Sequence, residues 1–127
     1  MKVLKAVVAA CVLLLLMLSG LWGYSRLQNR VVVVNNSGKE ASFVKIDVGG
    51  ESIDFGPIPV GRTVSLPFTI RSDSGFILSG RLASGNSLSF MDGYVTGGMW
   101  GHEAVFTIHP ADEFPSSPAR VTLKQNY

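Results

Sequence analysis

Thr63-Val64-Ser65-Leu66-Pro67-Phe68-Thr69-Ile70 is the stretch whose reading decides the fold. In an extended chain successive side chains point to opposite faces. Val64, Leu66, Phe68 and Ile70 therefore share one side, and Thr63, Ser65 and Thr69 share the other. That alternation predicts a half-buried strand. Pro67 has no N–H to give to a ladder, so the strand is expected at a sheet edge or with a bulge at that point.

The same period extends outward in both directions. Val44, Ile46 and Val48 lie on one parity of Ala41–Val48, against Lys45 and Asp47. Phe76, Leu78 and Leu82 oppose Ser79 and Arg81, and Ala104, Phe106 and Ile108 share a face of Glu103–His109. The continuous Val31–Val34 run predicts a strand buried on both faces. Turn chemistry separates the runs: Asn35-Asn36-Ser37-Gly38, Gly49-Gly50, Ser72-Asp73-Ser74-Gly75, Ser84-Gly85-Asn86 and Asp92-Gly93. Gly49-Gly50 between Val48 and Glu51 reads as a two-residue hairpin. The rhythm gives seven to eight short strands about ten residues apart, the spacing of an antiparallel β-sandwich. Each apolar strand face needs a covering layer, and no amphipathic helix offers one, so two sheets facing each other is the economical answer. The sandwich is expected over residues 31–109. A tail with Pro110, Pro115 and Pro118 follows over 110–127, irregular to 119, with Arg120–Lys124 able to add a short last strand.

Ahead of the sandwich, Ala6–Tyr24 (AVVAACVLLLLMLSGLWGY) carries no charge. About 19 helical residues cover most of the roughly 30 Å hydrocarbon core of a bilayer. Residues 1–5 are read as a cytoplasmic N-terminus, 6–25 as a transmembrane anchor and 26–30 as a linker. Lys2, Lys5 and the α-amino group place the N-terminus in the cytoplasm and the domain outside, and Trp22 and Tyr24 suit the far boundary. The competing reading is a signal peptide cleaved to release a secreted domain, but no A-x-A triplet follows the run. Val8-Ala9-Ala10-Cys11 looks like a lipoprotein box, yet the most apolar stretch, Val12–Leu18, lies after the cysteine, where a mature lipoprotein would be hydrophilic. The small-residue pairs Ala6/Ala10 and Ser19/Gly23 read as lipid-facing filler.

Charge and cysteine usage exclude several classes. The 127-residue chain has 11 Lys/Arg and 9 Asp/Glu. Lys2 and Lys5 account for the net +2, so the part after residue 25 is neutral and its cations are scattered. Nucleic-acid binding needs cations clustered on the folded surface, so no nucleic-acid partner is expected. Cys11 is the single cysteine, so the folded part has no disulfide, thiol nucleophile or thiolate metal site.

Val31–Ile108 resembles small bacterial immunoglobulin- or fibronectin-like sandwiches on membrane-anchored or exported proteins of unassigned function. The resemblance rests on Val34-Asn35-Asn36-Ser37-Gly38 after the first strand and Gly56-Pro57-Ile58-Pro59-Val60-Gly61 before the Ser/Thr-rich strand. Gly93-Tyr94-Val95-Thr96-Gly97-Gly98 is its third element. Related sandwiches place Pro next to Gly in the mid-domain turn, whereas Val60 intervenes here. The resemblance implies an immunoglobulin-like fold and a binding or scaffolding role.

The search for chemistry assigns no catalytic residue and no cofactor. His102-Glu103-Ala104-Val105-Phe106 begins like a zinc-protease motif, but Phe106 stands where a second His must share the helical face. Glu51 and Asp54 fall on opposite faces of one strand, and Asp112 and Glu113 fall in the tail. All four read as solvated charges. Met91, Met99, His102 and His109 are soft-metal ligand types, with Met91 and His109 at strand ends and His102 in a loop. They define an alternative role in periplasmic copper handling. Asn35-Asn36-Ser37 is a formal N-glycosylation acceptor. The loop Asp92–Gly101 (DGYVTGGMWG) is the most unusual surface feature, and Tyr94, Met99 and Trp100 in it are candidate partner-binding residues. The function expected is that of a non-catalytic sandwich tethered to the inner membrane. It would bind or scaffold a membrane or periplasmic protein.

Overall fold

The computed structural model describes residues 1–111 and 118–127. One helix, α1 (Lys2–Leu27), precedes eight strands: β1 (Asn29–Asn35), β2 (Ala41–Val48), β3 (Glu51–Phe55), β4 (Thr63–Phe68), β5 (Ser74–Leu82), β6 (Ser87–Val95), β7 (Glu103–Ile108) and β8 (Val121–Asn126). The strands form two four-stranded sheets, β4-β1-β7-β8 and β3-β2-β5-β6.

α1 extends past both ends of the uncharged run, because Lys and Arg are good helix formers where the helix meets water. It stops at Gln28, whose backbone is extended. The linker expected over 26–30 is thereby reduced to one residue. Asn29 and Arg30 already pair with Phe68 and Pro67 of β4, so the ladder begins two residues before the valine run. Lys2–Tyr24 is long and apolar enough to cross a membrane, with a mean hydropathy of 2.5 and no part of it buried.

The second sheet is antiparallel throughout. Gly49 and Gly50 both take positive φ in the β2–β3 hairpin, with Val48 opposite Glu51. A Cβ on Gly49 would stand 3.0 Å from the Ile70 Cα, so this turn also seats the chain that leaves β4. The first sheet departs from the antiparallel expectation, because β1 and β7 run parallel from Arg30↔Glu103 to Asn35↔Ile108. β6 ends at the helix end of the sandwich. The crossover 96–102 therefore starts β7 beside the start of β1, pointing the same way. β4 lies at the sheet edge, where Pro67 costs no ladder bond. β8 completes the other edge, so the sandwich runs to Asn126 rather than ending at 109. The segment 112–117, with Asp112, Glu113 and Pro115, lies outside the described residues.

The inward parities of both sheets meet in one core. Phe106 and Phe76 meet edge to face across it at 5.4 Å, and Phe90 meets Phe106 at 5.8 Å. Val31 and Val33 are fully buried, but Val32 and Val34 are only half-buried. Among the described residues no second layer covers the outer face of this sheet, so the valine run is buried on one face and only flanked on the other.

Candidate functional site

A buried asparagine at each end of β1 fixes the loops there. At the helix end, the Asn29 Nδ2 donates to the Met99 carbonyl at 2.7 Å, and its Oδ1 accepts the His102 N–H at 3.0 Å. The Gly101 N–H donates to the Leu27 carbonyl at 2.9 Å and the Arg30 N–H to the His102 carbonyl at 2.9 Å. The glycine-rich crossover is thus pinned to the last turn of α1. At the far end, the Asn35 Nδ2 donates to the carbonyls of Lys39 and Ile58 at 2.8 and 2.9 Å. Its Oδ1 accepts from the Ser37 N–H and hydroxyl. Asn35 is completely buried. The formal glycosylation acceptor therefore has its amide inside a knot where no glycan fits.

The crossover treats its three candidate residues differently. Tyr94 belongs to β6, and its hydroxyl donates to the Asp73 carboxylate at 3.1 Å. That bond and the negative charge of Asp73 hold the phenol above its ordinary pKa. Asp73 also accepts the Gly97 N–H at 2.8 Å, which folds the loop back on the β4–β5 connection. Met99 packs half-buried against the core, and its sulfur accepts the Thr96 N–H. Trp100 is the most exposed of the three at 74%, ahead of Tyr94 at 58%. It borders a cleft of about 520 Å³ that Tyr24 and Leu27 line from the helix and Pro67 and Phe68 from β4.

His102 lies in the loop just ahead of β7, as expected, but its side chain is part of the core at 1% exposure. Its ring stacks on Phe76 at 6.2 Å and meets Tyr127 at 5.0 Å. The Gln125 amide lies 3.1 Å from its Nε2 and donates its other proton to the Tyr94 carbonyl. An amide donor at Nε2 places the imidazole proton on Nδ1. Nδ1 is buried and has no hydrogen-bond partner among the described residues. Burial therefore lowers the pKa of this histidine. Gly93 makes the arrangement possible: its φ is +80°, and a Cβ there would stand 2.7 Å from Leu123 and 2.8 Å from the Gln125 Oε1.

The four soft-metal candidates are dispersed. His102 and His109 flank β7 at its two ends, about 23 Å apart at the rise of a strand. His109 is bonded to Thr122. Met91 sits within β6 rather than at its end, 75% exposed on the outer face of the other sheet. From Glu103 to Phe106 the chain is strand with Phe106 in the core, so no helical face exists to hold a zinc pair. Among the described residues no group of three His, Cys, Asp or Glu side chains could hold a metal ion. Glu51 accepts the Thr69 N–H at 2.8 Å, and Asp54 is exposed.

Sequence reasoning passed over the outer face of the second sheet. Ile77 and Met91 stand directly opposite each other there, and Phe43 of β2 lies on the same face opposite Arg81. All three are exposed. The signal was present in the alternation: Phe43 and Ile77 occupy positions of the parity that otherwise carries Lys45, Asp47, Ser79 and Arg81.

No protein-family model and no curated protein sequence matches the chain. Among solved structures it is similar to a protein from Eubacterium rectale determined by NMR, with a TM-score of 0.60 and 13% identity. The likeness covers 78% of this chain and 90% of that one, and it concerns the fold alone.

Proposed function

We propose that this chain is a single-pass membrane protein whose N-terminal helix holds a non-catalytic, immunoglobulin-like sandwich outside the cytoplasm, where the sandwich binds a membrane or periplasmic protein. The observation that carries the binding role is the outward apolar trio of Phe43, Ile77 and Met91. Apolar side chains at the solvent parity of a sheet gain their stabilisation only when something covers them, and aromatic residues and Met are enriched at protein interfaces. Two four-stranded sheets packed on one core support the immunoglobulin-like reading. The bare apolar helix supports the tether, and Lys2 and Lys5 before it support a cytoplasmic N-terminus.

Photo-crosslinking in the producing cell's membranes tests the binding role. A benzophenone amino acid at Ile77 or Met91 should give discrete protein adducts, and the same probe at Lys39, at the far end of the sandwich, should give fewer. Adducts at neither 77 nor 91 would refute it. The orientation has its own test. Cys11 is the native cysteine and lies within the helix, so a cysteine introduced by Ser52→Cys should react with an impermeant maleimide in intact cells. A Ser52→Cys protein labelled only after lysis would reverse the topology.

A further inference from the structure

We propose that the crossover 96–101 is a second membrane contact, with Trp100 resting in the headgroup layer of the bilayer that α1 crosses. This rests on reading α1 as a membrane anchor.

The height of the loop is set by a hydrogen bond. The Gly101 N–H binds the carbonyl of Leu27, and Leu27 lies three residues beyond Tyr24, where the apolar run ends. Three helical residues rise about 4.5 Å. The polar layer outside the hydrocarbon is roughly 5–7 Å deep on each side, so that height falls within it. With Gln28 as the single residue between α1 and β1, the sandwich has no slack with which to lift this end away.

The side chains at that height suit the layer. Trp100 is 74% exposed between glycines, and Tyr127 stands 84% exposed beside it, the two bordering one shallow depression with Met99. An indole with an apolar body and one N–H donor fits where hydrocarbon meets headgroups. Trp22 and Tyr24 mark the same boundary from the helix side. Arg26 lies over the Trp22 ring at 4.7 Å, which sets a guanidinium at phosphate level. Acids at this end accept hydrogen bonds within the protein: Glu103 from Asn126, Glu51 from Thr69, Asp73 from Tyr94 and Asp92 from the Gly93 N–H. The cleft between Tyr24, Leu27 and Trp100 lies at the same height.

The chain has two tryptophans, so each can be watched alone. The test places full-length Trp22→Phe and Trp100→Phe proteins in vesicles of phosphatidylcholine with a minority of phosphatidylglycerol, with and without lipid carrying a nitroxide just below the headgroup. Both positions are exposed, so phenylalanine leaves the packing as it is. The expected result is that Trp100, in the Trp22→Phe protein, has blue-shifted emission and loses most of it to the nitroxide, as Trp22 does in the other protein. Quenching of Trp22 with solvent-like, unquenched emission from Trp100 would overturn the loop contact and leave the tether standing. Failure of the nitroxide to quench either tryptophan would overturn the tether as well.

Discussion

The two ends of β1 solve the same problem with different reach. Asn35 ties residues 37, 39 and 58, all within 23 positions, into a knot of satisfied donors and acceptors. Asn29 reaches residues 99 and 102, which are 70 and 73 positions away, and the histidine it holds keeps a buried nitrogen without a partner among the described residues. The far end is local and closed. The helix end is assembled from the two extremes of the chain, so it forms only after β6 has crossed to β7 and the long loop has been closed. A buried polar group without a partner also leaves that end more sensitive to its surroundings.

The largest effect is expected where the two ends share a support. Phe106 is fully buried in β7 between the rings of Phe76 and Phe90. Phe106→Ala should lower unfolding stability by about 3–5 kcal/mol, enough to threaten a domain of this size. Urea unfolding of the full chain in mild detergent, followed by near-ultraviolet circular dichroism, measures it.

Next come the asparagines. Asn35→Ala removes a completely buried amide with its bonds to Lys39, Ile58 and Ser37 and strands the Ser37 N–H, while the Lys39 and Ile58 carbonyls keep the Ser37 hydroxyl and the Ala41 N–H. It should lower stability by about 3 kcal/mol, whereas Asn29→Ala breaks one bond to a carbonyl and one from an N–H, for about 2 kcal/mol. The same titration ranks them. An Asn29→Ala loss equal to or above that of Asn35→Ala would break the contrast between a closed end and an open one.

The helix end should also answer to acid. An unfolded histidine titrates near 6.5, and burial sets His102 below that value. Below about pH 6.5 the unfolded chain takes up a proton that the folded chain refuses. The contribution is complete above 6.5 and declines as pH falls toward the lowered folded value, by at most about 1.4 kcal/mol per pH unit. His102→Phe should flatten stability against pH in that window, which the same urea titration at a series of pH values measures. The smallest effect belongs to Tyr94→Phe, which loses one exposed hydroxyl bond to Asp73 and should leave the urea midpoint of the parent unchanged.

The same contrast explains what could be read before the structure. Side-chain parity depends only on local spacing, so Val44, Phe76, Phe106 and their partners appear on the expected face. The Asn35 knot announced itself as turn chemistry because its partners are neighbours in sequence. Asn29 gave no such sign: its worth lies in two loop groups that only the fold brings near. Strand order is hidden for the same reason. Periodicity says which face is buried and nothing about which strand lies alongside, so the parallel pairing of β1 with β7 was missed. The loop position of His102 was legible from Gly101 before it, but its burial was not, because the rings of Phe76 and Tyr127 that flank it come from distant parts of the chain. Ile77 and Phe43 were legible as breaks in an otherwise regular alternation.

The single residue between α1 and β1 has a mechanical consequence. Traction on the helix reaches the first residue of β1 almost directly. β1 is gripped on both sides, by β4 running against it and β7 running with it. A load along the strand therefore shears two ladders at once instead of unzipping one bond after another. The strand wired to the anchor is the one the sandwich would be slowest to surrender under tension.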